Sequence, residues 1–203
     1  MNTVPSLNSK TYKTLCNKTD VTDIDAWYDK TYPLFQKGKF KLANHEDFLI
    51  LVSLAYSWMP TVPVYHDSGD WEEASQYLKH LPEQEALRKF MELVVPMINN
   101  SIVGVSKALH FAYPNDISII DSNVVKGWRK LFYKTETEGY KDPAISPLPI
   151  NFGSFNGRKS TMSRHIDYYL RYCNNLNEWT KNLDNDVTPR DIETRLYLLG
   201  KEL

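Results

Sequence analysis

The chain has 203 residues, of which 42% are hydrophobic and 24% charged, and a net charge of −1. That length suits one domain with a sizeable core and is marginal for two, and the composition excludes a disordered chain. Two cysteines, Cys16 and Cys173, exclude a disulfide framework and a four-thiolate iron–sulfur or zinc cluster.

No internal repeat or low-complexity tract is present, and no apolar run approaches the roughly 20 residues of a bilayer crossing. The start of the chain is polar and lacks a signal-peptide stretch. A soluble, cytoplasmic, monomeric protein with no membrane partner is expected. Thr22 or Asp23 is placed to cap a first helix, with Ile24, Trp27, Tyr28 and Tyr32 at helical spacing. Residues 45–59 are apolar almost all round and predict a central buried helix, stopped at Met59-Pro60. A loop over 60–68 precedes a helix over 70–80. Pro82 can open the next helix at its first position. Its stripe is Leu87, Phe90, Met91, Val94 and Ile98, with Pro96 kinking the last turn.

After Asn99-Asn100-Ser101 a short element over 102–113 ends at Pro114-Asn115, and an extended piece covers 117–120. Asp121 then heads a helix reaching residue 133, with Ile120 and Val125 placed as a hydrophobic staple. Pro143, Pro147, Pro149 and three glycines make 135–157 a long loop. A helix is predicted over 160–176. Thr188, Pro189 and Asp191 sign the start of a last helix, with Gly200 at its end. The fold class is therefore all-α, read as a single helical domain over 1–203.

Charge is unevenly spread. Ten basic against six acidic residues between positions 101 and 171 leave that stretch at +4, so the remainder carries −5. A basic middle on an acidic frame suits an anionic ligand bound on one side. Asn156-Gly157-Arg158-Lys159-Ser160, with Arg164 one turn on, is a basic loop entering a helix N-terminus, a place for phosphate contact or simply a solvated cap.

Chemistry concentrates in 99–133. Ile102-Val103-Gly104-Val105-Ser106-Lys107 is a glycine turn opening a short helix, where exposed N–H groups form an anion site. A return loop then presents Asp121. Asp121 has a structural role available as a cap, and Lys107 could be a solvated surface lysine. His110 and Trp58 could equally be core side chains. No spacing supports a metal site.

This order resembles the helix-hairpin-helix DNA glycosylase superfamily, whose hairpin reads Leu-Pro-Gly-Val-Gly-x-Lys-x-Ala and whose aspartate sits in a Val-Asp-Thr/Ser-x-Val sequence. Ile102 to Ser106 stand for the hairpin, with Val103 and Ser106 at its proline and second glycine, and Lys107 for its lysine. Ile120-Asp121-Ser122-Asn123-Val124 stands for the aspartate motif. Short bacterial proteins similar to 8-oxoguanine DNA glycosylases are the nearest likeness, through Ser106 to Val124 and through Asp191-Ile192-Glu193 with Leu196 and Gly200.

The resemblance implies a helix-hairpin-helix glycosylase-like fold and a hydrolase that excises a damaged or modified base, or a hypermodified base of foreign DNA, from a duplex with the base flipped out. No cofactor is implied. Asp121 would stabilise the cationic sugar or orient water, and Lys107 would be a nucleophile giving lyase activity. Gly104, Ser106, Lys126, Arg158, Lys159 and Arg164 would contact DNA, and Trp58, Tyr113 and His110 would line the base pocket. The alternative is a catalytically inactive DNA-binding or protein-interaction module on the same fold.

Overall fold

A computed structural model describes residues 6–67, 69–133, 143–153, 158–183 and 186–201. Among these the regular elements are nine α-helices and two short 3-10 turns, with one isolated bridge between Tyr65 and Ile98. The all-α expectation holds. No helix of the described residues is long and apolar enough to cross a membrane. The chain forms two compact units: the described residues of Met1–Ile24, Ile120–Ser154 and Asp167–Leu203 make the first, and those of Asp25–Ile119 and Phe155–Ile166 the second.

The second unit holds α2 (Ala26–Lys37), α3 (His45–Tyr56), α4 (Trp71–Ser75), α5 (Gln84–Met97) and α6 (Ile102–Ala112). Asn44 and Ser101 cap α3 and α6 by accepting from the Asp47 and Gly104 N–H groups. Phe48, Leu51, Val52 and Ala55 of α3 form the core with Phe90, Met91 and Val94 of α5 and Val105, Ala108 and Leu109 of α6. Helix α3 is not buried all round, since Ile50 is exposed. The loop after it is tied to the α5–α6 turn, where Asn99 and Asn100 take left-handed backbone that asparagine tolerates. The Asn99 amide accepts from the Val64 N–H and donates to the Val62 carbonyl.

The first unit holds α1 (Ser9–Asn17), α7 (Ser122–Phe132), most of α8 (Lys159–Lys181) and α9 (Pro189–Lys201). Its core is Leu15, Val124, Trp128, Tyr169, Tyr172, Leu176, Trp179, Ile192 and Leu196. The Trp128 indole donates to the Ser146 carbonyl, and Asn175 brackets Ser146 and Ala144, so the stretch 144–148 is pinned to the helices. Helices α7 and α9 pack backbone to backbone. A Cβ on Gly127 would stand 1.9 Å from the Leu196 carbonyl oxygen, and one on Gly200 1.8 Å from that of Asn123.

Several local expectations are corrected. Helix α1, with only Thr11 and Leu15 buried, carries too thin an apolar stripe to announce itself. Asp20 caps a 3-10 turn at Val21–Asp23, and α2 begins only at Ala26. Residues 70–80 divide into α4 and a second 3-10 turn, and α5 starts two residues after Pro82, which follows a cis peptide bond. Gly200 lies within α9 rather than ending it: its hydrogen side chain serves packing. The Thr188–Asp191 capping box forms as its sequence predicts, each residue bonding the other's N–H.

Candidate functional site

In the second unit the site is built on α6. Its first turn is closed off: the Gly104 N–H bonds the Ser101 hydroxyl, and the Tyr56 ring and hydroxyl lie where a Gly104 Cβ would project, at 2.7–3.0 Å. Ser106 is fully buried and its hydroxyl donates to the Val103 carbonyl. The phosphate contact expected of Gly104 and Ser106 is therefore corrected to a packing role, because neither presents a donor at the surface.

Lys107 is not a solvated lysine. It is 3% exposed, with Nζ 3.5 Å from the Tyr28 hydroxyl and 5.9 Å from the centre of that ring. Helical spacing puts His110 and Phe111 on the same side of α6 as Lys107, and the three meet Tyr32, Phe35 and Tyr28 of α2 respectively. The His110 Nδ1 lies 2.6 Å from the Ile117 carbonyl, a distance that only an N–H donor satisfies, so the proton is assigned there from the hydrogen bonding. In the neutral ring Nε2 then accepts from the Tyr32 hydroxyl at 2.9 Å.

Trp58 centres this cluster. Its indole donates to the Thr31 hydroxyl at 2.8 Å, and its ring packs on Tyr28, Tyr32, Phe35 and Phe111 with centroids 4.8–5.9 Å apart. His110 and Trp58 are buried within this cluster. Tyr113 ends α6 half-buried, and burial raises its phenol pKa.

In the first unit Asp121 caps α7. Its backbone is extended, one carboxylate oxygen accepts from the Val124 N–H at 2.9 Å, and the residue is half-buried between buried Ile120 and Val125. Behind it Tyr172 is wholly buried. Its phenol is pushed well above its usual range by burial first, then by the Glu193, Cys173 and Asp121 charges, against a lowering from Arg190. Glu193, itself 1% exposed, is held by Arg190 in an ion pair. The Asp121 charge is thus felt by the buried Tyr172 phenol. Lys126 is half-exposed on α7.

Of the basic residues, Arg158 caps α8 with its carbonyl, which accepts from Thr161 and Met162, and Arg158, Lys159 and Arg164 are exposed while neighbouring His165 is buried. Asn156 and Gly157 lie outside the described residues. Among those described, no group of histidine, cysteine and carboxylate side chains could hold a metal ion.

The structure brings Lys107, His110 and Trp58 together in one aromatic cluster of the second unit. Asp121 and Lys126 belong to the first. Tyr28, against the Lys107 amine, is the residue sequence reasoning missed. The signal was present, since Trp27, Tyr28 and Tyr32 share helical spacing, but spacing alone does not say which ring meets Lys107. No family model, curated protein or solved structure matches the chain.

Proposed function

We propose that this protein is a DNA glycosylase that removes a damaged or modified base by breaking its N-glycosidic bond. The observation that carries the reading is the burial of the Lys107 amine beside aromatic rings. Helix α6 is buried along nearly its whole length, where an ammonium loses its hydration, whereas an amine reserved for covalent attack gains from a confined, poorly hydrated setting. The Asp121 motif supplies the second group. Its helix start holds one carboxylate oxygen on the Val124 N–H and so fixes the direction of the carboxylate.

In the reaction, the Lys107 nitrogen pair bonds C1′ of the flipped nucleotide while the C1′–N bond breaks. Its electrons leave with the base, which takes the proton that the amine sheds. Opening of the sugar ring at the C1′–O4′ bond then yields the imine, whose breakdown is the lyase step. For Asp121 the proposed role is the one the resemblance implies, stabilising the oxocarbenium character that such a cleavage develops. If water rather than Lys107 attacks, the same carboxylate orients it and no imine forms. Exposed Arg158, Lys159 and Arg164 are the proposed phosphate contacts.

Burial of Gly104 and Ser106 favours the second reading, an inactive DNA- or protein-binding module, because it removes the hairpin's phosphate grip. Asp121→Asn separates the two. Asparagine caps a helix about as well as aspartate, so folding and DNA affinity persist while base release from a panel of lesion-bearing and hypermodified duplexes is abolished. Wild-type protein that binds DNA yet releases no base from any of them would leave the module as the account.

A further inference from the structure

We propose that Tyr28 is the positioning residue for the Lys107 amine, an assignment that rests on reading Lys107 as the nucleophile. Tyr28 stands on the first turn of α2, and its hydroxyl proton is already committed, donated to the Trp58 carbonyl at 3.2 Å. The remaining lone pairs of that oxygen can only accept. The Lys107 amine, 3.5 Å away, is a donor within reach.

An amine that donates an N–H to Tyr28 directs its own lone pair away from the phenol, the orientation that attack on a sugar carbon needs. The phenol is held at both ends: its ring lies 4.8 Å from that of Trp58, and its hydroxyl is bonded to the Trp58 carbonyl. A lysine otherwise has four rotatable bonds and a mobile charge. A bond from its last atom to a fixed oxygen helps turn a flexible chain into a placed nucleophile.

The test is single-turnover borohydride trapping with duplexes that wild-type protein processes, for wild type, Tyr28→Phe and Thr31→Val. Tyr28→Phe keeps the ring and removes the oxygen. Thr31→Val is a near-isosteric change that loosens the same cluster by freeing the Trp58 indole, without touching Lys107. The expected result is a trapping rate about tenfold or more lower in Tyr28→Phe at saturating DNA, with DNA affinity unchanged, and a wild-type rate in Thr31→Val. A wild-type rate in Tyr28→Phe overturns the assignment, as does an equal drop in Thr31→Val.

A second readout needs no DNA. Reductive methylation with formaldehyde and cyanoborohydride, followed peptide by peptide with Lys107→Gln to identify the site, reports how firmly the amine is held. Lys107 should be the slowest lysine to react in wild type and in Thr31→Val, and about several-fold faster in Tyr28→Phe. Equal rates overturn the assignment. If no duplex traps wild-type protein but methylation of Lys107 accelerates in Tyr28→Phe, the nucleophile reading fails and the positioning contact stands.

Discussion

Gly127→Ala measures how much the α7–α9 seam depends on glycine. A Cβ there would meet the Leu196 carbonyl oxygen at 1.9 Å, against an ordinary carbon–oxygen approach of about 3.3 Å. The two helices must part by about 1.4 Å at that point, or one must bend. Neither side of the collision is the movable end of a side chain. Val124, Trp128 and Leu131 on α7, and Ile192, Leu196 and Leu199 on α9, are buried and would be drawn off their neighbours together. Overpacking of this kind costs about 3 kcal/mol, the upper end of its usual range. Alanine returns about 1 kcal/mol through better helix propensity. The expected net is a destabilisation of about 2 kcal/mol, or about 4–8 °C in melting temperature for a chain of this size. Urea unfolding followed by tryptophan fluorescence reads it, as a lower midpoint at unchanged slope. A variant as stable as wild type, or more so, would refute the reasoning, because only an open seam lets the propensity gain show. Gly200→Ala, facing the Asn123 carbonyl at 1.8 Å, should behave alike, and the double variant should be destabilised by less than the two single effects added, since both part the same seam.

Replacing Arg158, Lys159 and Arg164 together by alanine should flatten the salt dependence of DNA binding, by about 0.9 in the log–log slope for each phosphate that the variant leaves unneutralised; an unchanged slope would move the interface elsewhere. Alkaline stability tests the buried phenols. Tyr169 and Tyr172 are both raised well above the usual value, chiefly by burial. A folded pKa above the unfolded one gives stability that is whole below about pH 10 and is lost above it, as only the unfolded chain ionises, at about 1.4 kcal/mol per pH unit for each tyrosine. Urea midpoints between pH 8 and 11 should therefore fall less steeply in Tyr172→Phe than in wild type, and equal slopes would exclude the phenol as the cause.

Helix identity was legible wherever the physical cause is local. The capping box at Thr188 and Asp191, the Asp121 cap with its flanking Ile120 and Val125, and the stripe from Leu87 to Val94 each act within a turn or two of chain. Their partners are fixed by sequence spacing. Helix α1 escaped for the converse reason, its Leu15 gaining burial from residues distant in the chain.

The candidate site divides the same way. The order of Gly104, Lys107 and Asp121 is a property of the sequence, and so is the helix start that makes Asp121 a cap. Whether Gly104 opens a phosphate grip or admits the Tyr56 ring depends on a residue almost fifty positions away. The same holds for Lys107, whose amine meets a phenol from α2, and for Gly200, whose missing side chain answers the Asn123 backbone. Short-range hydrogen bonds and helical periodicity are written into neighbouring residues. The burial of a lysine or the crossing of two helices is settled only when segments far apart in the chain pack at van der Waals distance.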